Sequence, residues 1–190
     1  MKPFILASGS PRRKELLEQA KISFTAQTSD VDETIDPALS PEDLVQSLAL
    51  QKAAAVFEVN KDAVVLGADT IVVLAGQVLG KPNDREHARG MLRALSGKKH
   101  SVLTGVSILS DRLKKTFFVE TRVQFWELTN EEIERYLDTN EPFDKAGAYG
   151  IQGFGATLVA HIEGDYFSVV GLPLSMTVRE LNHFGITPNL

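Results

Sequence analysis

The sequence predicts an α/β fold built on a mixed sheet, because helical and extended patterns alternate along the chain. The strongest strand pattern is the apolar, β-branched run 63–74, which a turn at 75–76 would lead back to Leu79. The strongest helix pattern is Ser40-Pro41-Glu42-Asp43, which places an N-cap serine, a first-turn proline and acidic residues at the start of 41–58. A chain of 190 residues fits one domain, with or without two lobes around a cleft.

The other elements follow in chain order from short apolar runs, helix caps and glycines. Further strands are predicted at 4–8, 22–28, 99–109 and 115–127, with two more around Gly164-Asp165. Further helices are predicted at 11–20, 84–95, 130–139 and 173–184. Ser10 and Pro11 suit the start of the first of these helices, and Gly185 suits the end of the last. Residues 140–155 have the composition of a glycine-rich loop.

The composition is that of an ordinary globular protein, with 43% hydrophobic and 24% charged residues. The absence of Cys excludes disulfides, thiolate metal sites and a cysteine nucleophile. The net charge of -5 disfavours a protein that coats nucleic acid. Since no apolar run has the length of a membrane span or a signal peptide, we expect a cytoplasmic protein without a membrane partner.

The first motif, Ser8-Gly9-Ser10-Pro11-Arg12-Arg13, joins a predicted strand to the start of a predicted helix. The first turn of a helix offers unpaired N–H groups and the positive end of the dipole, which together bind phosphate. Ser8 and Ser10 add hydroxyl groups, and Arg12 and Arg13 can each form a bidentate pair of hydrogen bonds with phosphate oxygens. Arginines in a first turn oppose the dipole, and a bound anion would relieve that conflict. The alternative is a capped helix with solvated basic residues.

The second motif is Gly67-Ala68-Asp69-Thr70, within the predicted strand 63–74. A carboxylate in an apolar strand is costly unless it is paired or bound to a metal, so Asp69 is a candidate general base. The alternative is a structural aspartate beside the glycine. Lys81, fixed between Gly80 and Pro82, could reach the same cleft, although a lysine in a turn is usually only solvated.

Two further charged residues are candidates on weaker grounds. Lys52 lies four residues from both Leu48 and Val56, hence on the inner face of the predicted helix 41–58. There it either lines a cleft or extends to the edge of the apolar surface. Glu33 belongs to an acidic segment that could supply a metal ligand, although such segments are more often solvated.

The last motif is the run 144–153, in which Asp144 and Lys145 precede three glycines. Glycines allow a flat ligand to approach the backbone closely, and Gln152 could read the edge of a base because its amide both donates and accepts. The alternative is a tight loop with Tyr149 packed in the core. The four histidines lack metal-ligand spacing and are predicted to be surface or core residues. Since the chain has no phosphate-loop, dinucleotide-binding or serine-hydrolase motif, those three enzyme classes are disfavoured.

Taken in order, these motifs resemble the Maf family of nucleotide pyrophosphatases, also called septum-formation-inhibitor proteins. The resemblance covers residues 1–190 as a single Maf-like domain. Its marks are S-x-S-P-R-R at 8–13, the Glu33 segment, Lys52, G-A-D-T at 67–70, G-K-P at 80–82, L-S-G at 95–97 and D-K-A-G-A-Y-G-I-Q-G at 144–153, together with the Gly171-Leu172-Pro173 turn. It implies an elongated mixed sheet with flanking helices and two lobes around a cleft, as in inosine-triphosphate pyrophosphatases.

The resemblance also implies an activity, the hydrolysis of a nucleoside triphosphate to the monophosphate and pyrophosphate with Mg²⁺ or Mn²⁺. The motif version here is similar to the dTTP/UTP branch, and both unmodified and modified pyrimidine nucleotides stay open as substrates. Two alternatives are a non-catalytic nucleotide-binding regulator of septum formation and a pyrophosphatase for another base, such as 7-methyl-GTP. A homodimer is open as well, because the family often forms dimers.

By the same resemblance, Asp69 is the proton acceptor, and Arg12, Thr70 and Gln152 set the base specificity. Lys52 and Lys81 are expected to supply positive charge for catalysis. The expected substrate-binding residues are Ser8, Ser10, Arg12, Arg13, Thr70, Lys145 and Gln152. The candidate metal ligands are Glu33 and Asp69, since divalent cations of this type prefer oxygen.

Overall fold

A computed structural model describes residues 2–28 and 34–189. The described strands are β1 (Phe4–Leu6), β2 (Thr25–Ala26), β3 (Val64–Leu74), β4 (Gln77–Leu79), β5 (Lys99–Leu109), β6 (Lys114–Phe125) and β7 (Val159–Glu163). The described helices are α1 (Pro11–Gln19), α2 (Pro41–Glu58), α3 (Arg85–Leu95), α4 (Asn130–Asp138), α5 (Tyr166–Val170) and α6 (Leu174–His183). Short 3₁₀ segments lie at Glu141–Asp144, Ala146–Ala148 and Gly153–Leu158.

The strands form one mixed sheet, in the order β2-β1-β3-β5-β6-β7, with β4 paired to β3. Strand β1 runs parallel to both β2 and β3, with Ile5 opposite Val65. The β3–β4 and β6–β7 pairs are antiparallel, and the β6–β7 register shifts between Gln124 and Phe125. The predicted mixed α/β class is therefore confirmed. No helix within the described ranges is both long and apolar enough to cross a membrane.

The chain divides into two compact units, in agreement with the predicted two lobes. Unit 1 comprises Met1–Asp69, Thr104–Val119 and Gly171–Leu190, and unit 2 comprises Thr70–Leu103 and Glu120–Val170. The chain passes from one unit to the other four times, within β3, β5 and β6 and again after α5. Asp69 and Thr70, neighbours in the second motif, therefore belong to different units.

The core of unit 1 depends on the close approach of α2 to the strands. A Cβ atom added at Gly67 of β3 would lie 2.6 Å from the Ala53 nitrogen and still closer to the Ala49 carbonyl oxygen. On β5, a Cβ atom at Gly105 would lie 2.7 Å from the carbonyl carbon of Val45. Because real Cβ atoms do not approach backbone atoms this closely, only glycine at these two positions lets the helix backbone lie on the strands.

The core of unit 2 lies beneath α3 and α4, whose apolar faces contribute Met91, Leu92 and Tyr136. On their outer side, Arg89 and Arg85 of α3 both pair with Glu134 of α4. Hydrogen bonds from these two guanidinium groups lower the pKa of Glu134 to about 2, so this carboxylate is ionised at neutral pH.

Two helices begin at the capping residues that the sequence predicts. The Ser40 hydroxyl accepts a hydrogen bond from the Asp43 nitrogen at 3.1 Å and begins α2 as predicted. At α4, Thr129 and Glu132 form a complete capping box. The sequence predicts a glycine-rich loop at residues 140–155. In the structure, short 3₁₀ turns occupy much of this range.

The two strands predicted around Gly164-Asp165 are wrong in part, since only β7 precedes the turn and helix α5 follows it. The Asp165 carboxylate accepts a hydrogen bond from the Phe167 nitrogen at 2.8 Å, which satisfies a donor at the start of this helix. Thr121 fixes the same turn by bonding both the nitrogen and the oxygen of Asp165. A short apolar run carries no period that separates strand from helix, so these contacts decide its conformation.

The contact at Gly67 predicts that Gly67→Ala destabilises the protein by about 3 kcal/mol, because the methyl group would overlap the backbone of α2. Gly90→Ala in α3 is the matched control. Nothing lies within 4 Å of its added Cβ atom, so this change should stabilise by about 0.5–1 kcal/mol through helix propensity. Urea denaturation measures both free energies of unfolding. Equal effects at the two positions would contradict the close approach.

Candidate functional site

The start of α1 is organised around Ser8 and Arg13. The buried Ser8 hydroxyl accepts hydrogen bonds from the Ser10 nitrogen and from Arg13 Nη1, both at 3.2 Å. Arg13 Nε donates to the carbonyl oxygen of Gly171 at 2.7 Å, across 158 residues of sequence. Ser10 occupies the predicted N-cap position, but its side chain makes no capping hydrogen bond. The first-turn arginine thus has a fixed place, and its conflict with the helix dipole is relieved in part by a carbonyl group.

Lys52 of α2 and Asp69 of β3 form an ion pair between Nζ and Oδ1. Their side chains are only 18% and 14% exposed. Gly67 and Asp69 are two residues apart on β3 and hence face the same side of the strand, towards α2. Lys52 adjoins Ala53, whose backbone meets Gly67. The glycine contact therefore positions both charged side chains, and the ion pair offsets the cost of a carboxylate in an apolar strand.

In unit 2, the G-K-P turn lies against the glycine-rich loop. The Gly147 nitrogen donates to the Gly80 carbonyl oxygen at 3.0 Å. Gly147 has a φ of 68°, and a Cβ atom added to it would lie 3.0 Å from the Val72 methyl groups. Lys81 is exposed beside this contact, and Thr70 is half-buried two residues before Val72. Glycine is therefore required here both by the backbone conformation and by the space available.

The side chain of Lys145 lies along the same loop. Its Nζ donates to the Glu141 carbonyl oxygen at 2.5 Å and to Asp144 Oδ1 at 2.6 Å. A Cβ atom at Gly150 would be 2.8 Å from Lys145 Cε, so the glycine leaves room for the lysine stem. Gln152, two residues further on, is exposed. The loop is thus held by its own side chains, with the amide of Gln152 at its surface.

Tyr149 anchors this loop in the core of unit 2. Its hydroxyl group lies 2.7 Å from His100 Nε2, and both rings pack edge-on against Phe125. Burial lowers the pKa of His100 to about 4 and raises the pKa of Tyr149, so both side chains are uncharged at neutral pH. Tyr149 thus lies in the core, as the alternative interpretation of the run 144–153 expected, and His100 is a core residue, one of the two positions expected for the histidines.

The predicted site residues are divided between the two units. Unit 1 brings together Ser8, Ser10 and Arg13 at the start of α1, with half-buried Arg12 beside them, and pairs Lys52 with Asp69. Unit 2 carries Thr70, Lys81, Lys145 and Gln152. Glu33 lies outside the described residues. Within the ranges 2–28 and 34–189, no three His, Asp or Glu side chains lie close enough together to hold a metal ion between them.

Sequence reasoning missed the partner of Arg13 and the role of Glu141. The Gly171 carbonyl group gives no sequence signal of its own, because any residue has a carbonyl oxygen. The Glu141 carboxylate accepts hydrogen bonds from the nitrogens of Phe154 and Gly155, at 3.0 and 3.2 Å. A backbone partner thirteen or fourteen residues away leaves no pattern that periodicity or spacing could reveal.

A profile of the family described as "Maf-like protein" matches residues 3–184. The chain belongs to the Maf family. A relative from Bacillus cytotoxicus, named dTTP/UTP pyrophosphatase, is 58% identical and aligns over 97% of this chain and 96% of its own. A relative of the same name from Bacillus cereus is also 58% identical, over 98% of this chain and 97% of its own.

Among solved structures, a HAM1 protein from Coxiella burnetii matches 98% of this Maf chain and 92% of its own, with 18% identity and a TM-score of 0.48. Family membership confirms the resemblance that the ordered motifs indicated. The motifs at 8–13, 67–70, 80–82 and 144–153 all lie within the matched range.

Burial of His100 predicts a pH-dependent stability for this Maf chain. The unfolded chain takes up a proton near pH 6.5 and the folded chain only near pH 4, so stability falls as the pH drops through that interval. The loss should approach about 3 kcal/mol, and His100→Gln should abolish it. Urea denaturation at several pH values measures the slope. Exposed His161→Gln is the control, and a wild-type slope in His100→Gln would contradict the assignment.

Proposed function

We propose that this chain hydrolyses dTTP and UTP to the nucleoside monophosphate and pyrophosphate, with residues 1–190 acting as one domain. The observation that carries the proposal is the Asp69–Lys52 pair, in which an ammonium group on α2 holds a shielded carboxylate on β3. The names of relatives that are 58% identical over nearly the whole chain support the substrate class. Cytoplasmic location and a homodimer stay predictions from sequence.

The residues at the start of α1 suit the binding of phosphate. Arg12 and Arg13 bring two guanidinium groups to a helix N-terminus, where the backbone N–H groups and the dipole also favour an anion. Ser8 and Ser10 add hydroxyl groups to the same turn. Lys81 and Lys145 of unit 2 would add further positive charge, as a triphosphate requires.

Asp69 would accept a proton from a water molecule that attacks phosphorus in line. The new P–O bond would form as the bond to the leaving group breaks, with pyrophosphate leaving from the α-phosphorus or the nucleoside monophosphate leaving from the β-phosphorus. Lys52 orients the carboxylate through their ion pair and brings positive charge to where phosphate oxygens gain negative charge. No nucleophilic side chain is needed for direct attack by water. This fits a chain that has no cysteine and no serine-hydrolase motif.

A divalent cation fits the donor chemistry of Asp69. Mg²⁺ at nucleotide sites commonly binds one or two carboxylates and takes its other oxygens from phosphates and water. Asp69 provides one such carboxylate, and Glu33 is the second candidate from sequence. When bound, the cation would neutralise phosphate charge and help to orient the triphosphate.

For the base, we propose that Thr70 and Gln152, together with Arg12, select the pyrimidine. Gln152 is exposed and carries both a donor and an acceptor, which matches the imide edge shared by thymine and uracil. A site that hydrogen-bonds one base edge rejects bases with a different donor and acceptor pattern, since its polar groups would be left unpaired.

Replacing Asp69 tests the role of the carboxylate. Asp69→Asn should lower turnover of dTTP by about 100-fold or more, because the amide cannot accept the proton, while the folded state and nucleotide binding persist. Pyrophosphate release measures turnover, and calorimetry measures binding. Exposed Asp62→Asn is the control and should keep full activity. Wild-type turnover in Asp69→Asn would refute the proposed role.

A panel of nucleoside triphosphates tests the substrate class. We expect metal-dependent pyrophosphate release from dTTP and UTP, little from CTP and purine nucleotides, and none with a chelator present. Release only from 7-methyl-GTP or another base would retain the reaction but overturn the base assignment. Binding of dTTP without hydrolysis under every metal condition would favour the non-catalytic regulator.

A further inference from the structure

The segment 150–155, which carries Gln152, is held at three of its backbone N–H groups by side chains from outside the segment. The Gly150 nitrogen donates to the Tyr136 hydroxyl group at 3.0 Å. The nitrogens of Phe154 and Gly155 donate to Glu141 Oε1 and Oε2, at 3.0 and 3.2 Å. One bond precedes Gln152 and two follow it, so the backbone on both sides of this residue is fixed.

Two glycines of the segment, Gly153 and Gly155, lie so close to these two partners that a side chain would not fit. Gly153 has a φ of 64°, and a Cβ atom added to it would lie 2.6 Å from Glu141 Oε1. At Gly155, an added Cβ atom would lie 2.8 Å from the Tyr136 hydroxyl oxygen. A larger residue at Gly153 would displace the Glu141 carboxylate, and one at Gly155 would overlap both the Tyr136 hydroxyl group and, still more closely, the Gly150 carbonyl oxygen. The glycines of the segment therefore leave just enough space for the side chains of Glu141 and Tyr136.

Glu141 is the stronger of the two partners. Both of its carboxylate oxygens accept a backbone N–H, and hydrogen bonds to an ionised acceptor are stronger than neutral ones. Its own carbonyl oxygen accepts from Lys145 Nζ at 2.5 Å, which ties it to the glycine-rich loop as well. Tyr136 is fully buried, and its ring stacks on that of Phe154 with 6.4 Å between the ring centroids. It therefore also contacts the segment from the side of the core.

We propose that Glu141 is a positioning residue for base selection: its carboxylate holds segment 150–155 in the conformation that presents the Gln152 amide to the base. The inference rests on the proposed function for the role of Gln152. Glu141 itself does not contact the nucleotide. Loss of its carboxylate leaves the phosphate-binding and proton-accepting residues of unit 1 in place, so the effect falls on recognition of the base and not on the chemical step.

The kinetic test compares Glu141→Ala with Glu141→Gln. Glu141→Ala should raise KM for dTTP about tenfold at unchanged kcat, and should lower the preference for dTTP over dATP by a similar factor. Glu141→Gln keeps one acceptor oxygen and should recover part of both losses. Glu131→Ala is the control, because Glu131 is 86% exposed and pairs only loosely with Arg135 at 4.0 Å. A fall in kcat with KM unchanged would overturn the proposal.

A double-mutant cycle with Gln152→Ala tests whether Glu141 acts through Gln152. If it does, adding Glu141→Ala to Gln152→Ala should not lower the preference for dTTP over dATP any further. An equal loss of preference in both backgrounds would show that Glu141 acts by another route and would overturn the proposal.

Hydrogen exchange separates this inference from the proposed function. In Glu141→Ala, the amides of Phe154 and Gly155 should exchange faster than in the wild type and in Glu131→Ala, while amides in β3 and β5 keep their protection. Unchanged protection at Phe154 and Gly155 would overturn the positioning role even if the activity is as proposed. A wild-type chain that does not hydrolyse dTTP or UTP would instead refute the proposed function, with the exchange result still decisive for the contacts of Glu141.

Discussion

The constraint on which unit 1 depends is the contact of the α2 backbone with β3 and β5 at Gly67 and Gly105. A side chain at either glycine would push the helix away from the sheet. Because α2 lies directly on the strands, the ammonium group of Lys52 reaches the carboxylate of Asp69, which is on the same side of β3 as Gly67. Neither charge would be tolerated well alone in so shielded a place, so the glycine contact and the ion pair depend on each other.

In the described part of unit 2, the long segment between α4 and β7 contains short 3₁₀ turns but no strand or α-helix whose hydrogen bonds would hold its backbone. Side chains bind its backbone instead. Tyr136 and Glu141 accept from its N–H groups, Lys145 donates to a carbonyl oxygen, and Tyr149 inserts into the core beside His100. Each of these bonds satisfies a backbone or buried polar group that would otherwise have no partner within a strand or helix. Such a loop can be rigid without being regular.

The sequence was informative where the determinants are local. Caps such as Ser40 and Thr129 predicted the starts of helices, and the unusual charge of Asp69 within an apolar run indicated the need for a partner. It failed at residues 166–170, where Asp165 and Thr121 impose a helix on a run that fits a strand equally well. It also gave no sign of the bonds from Arg13 to Gly171 or from Glu141 to residues 154–155, because backbone groups carry no residue identity.

The two terminal strands of the sheet affect how readily the protein aggregates at high concentration. An edge strand with unpaired backbone groups can recruit a strand from another molecule and so begin aggregation. Here one terminal strand, β2, has two residues, and the other, β7, has five and carries exposed His161 and Glu163. The register shift between β6 and β7 further disturbs the regular spacing that an added strand would need. Both of these terminal strands thus offer a poor template for pairing with a strand of another molecule.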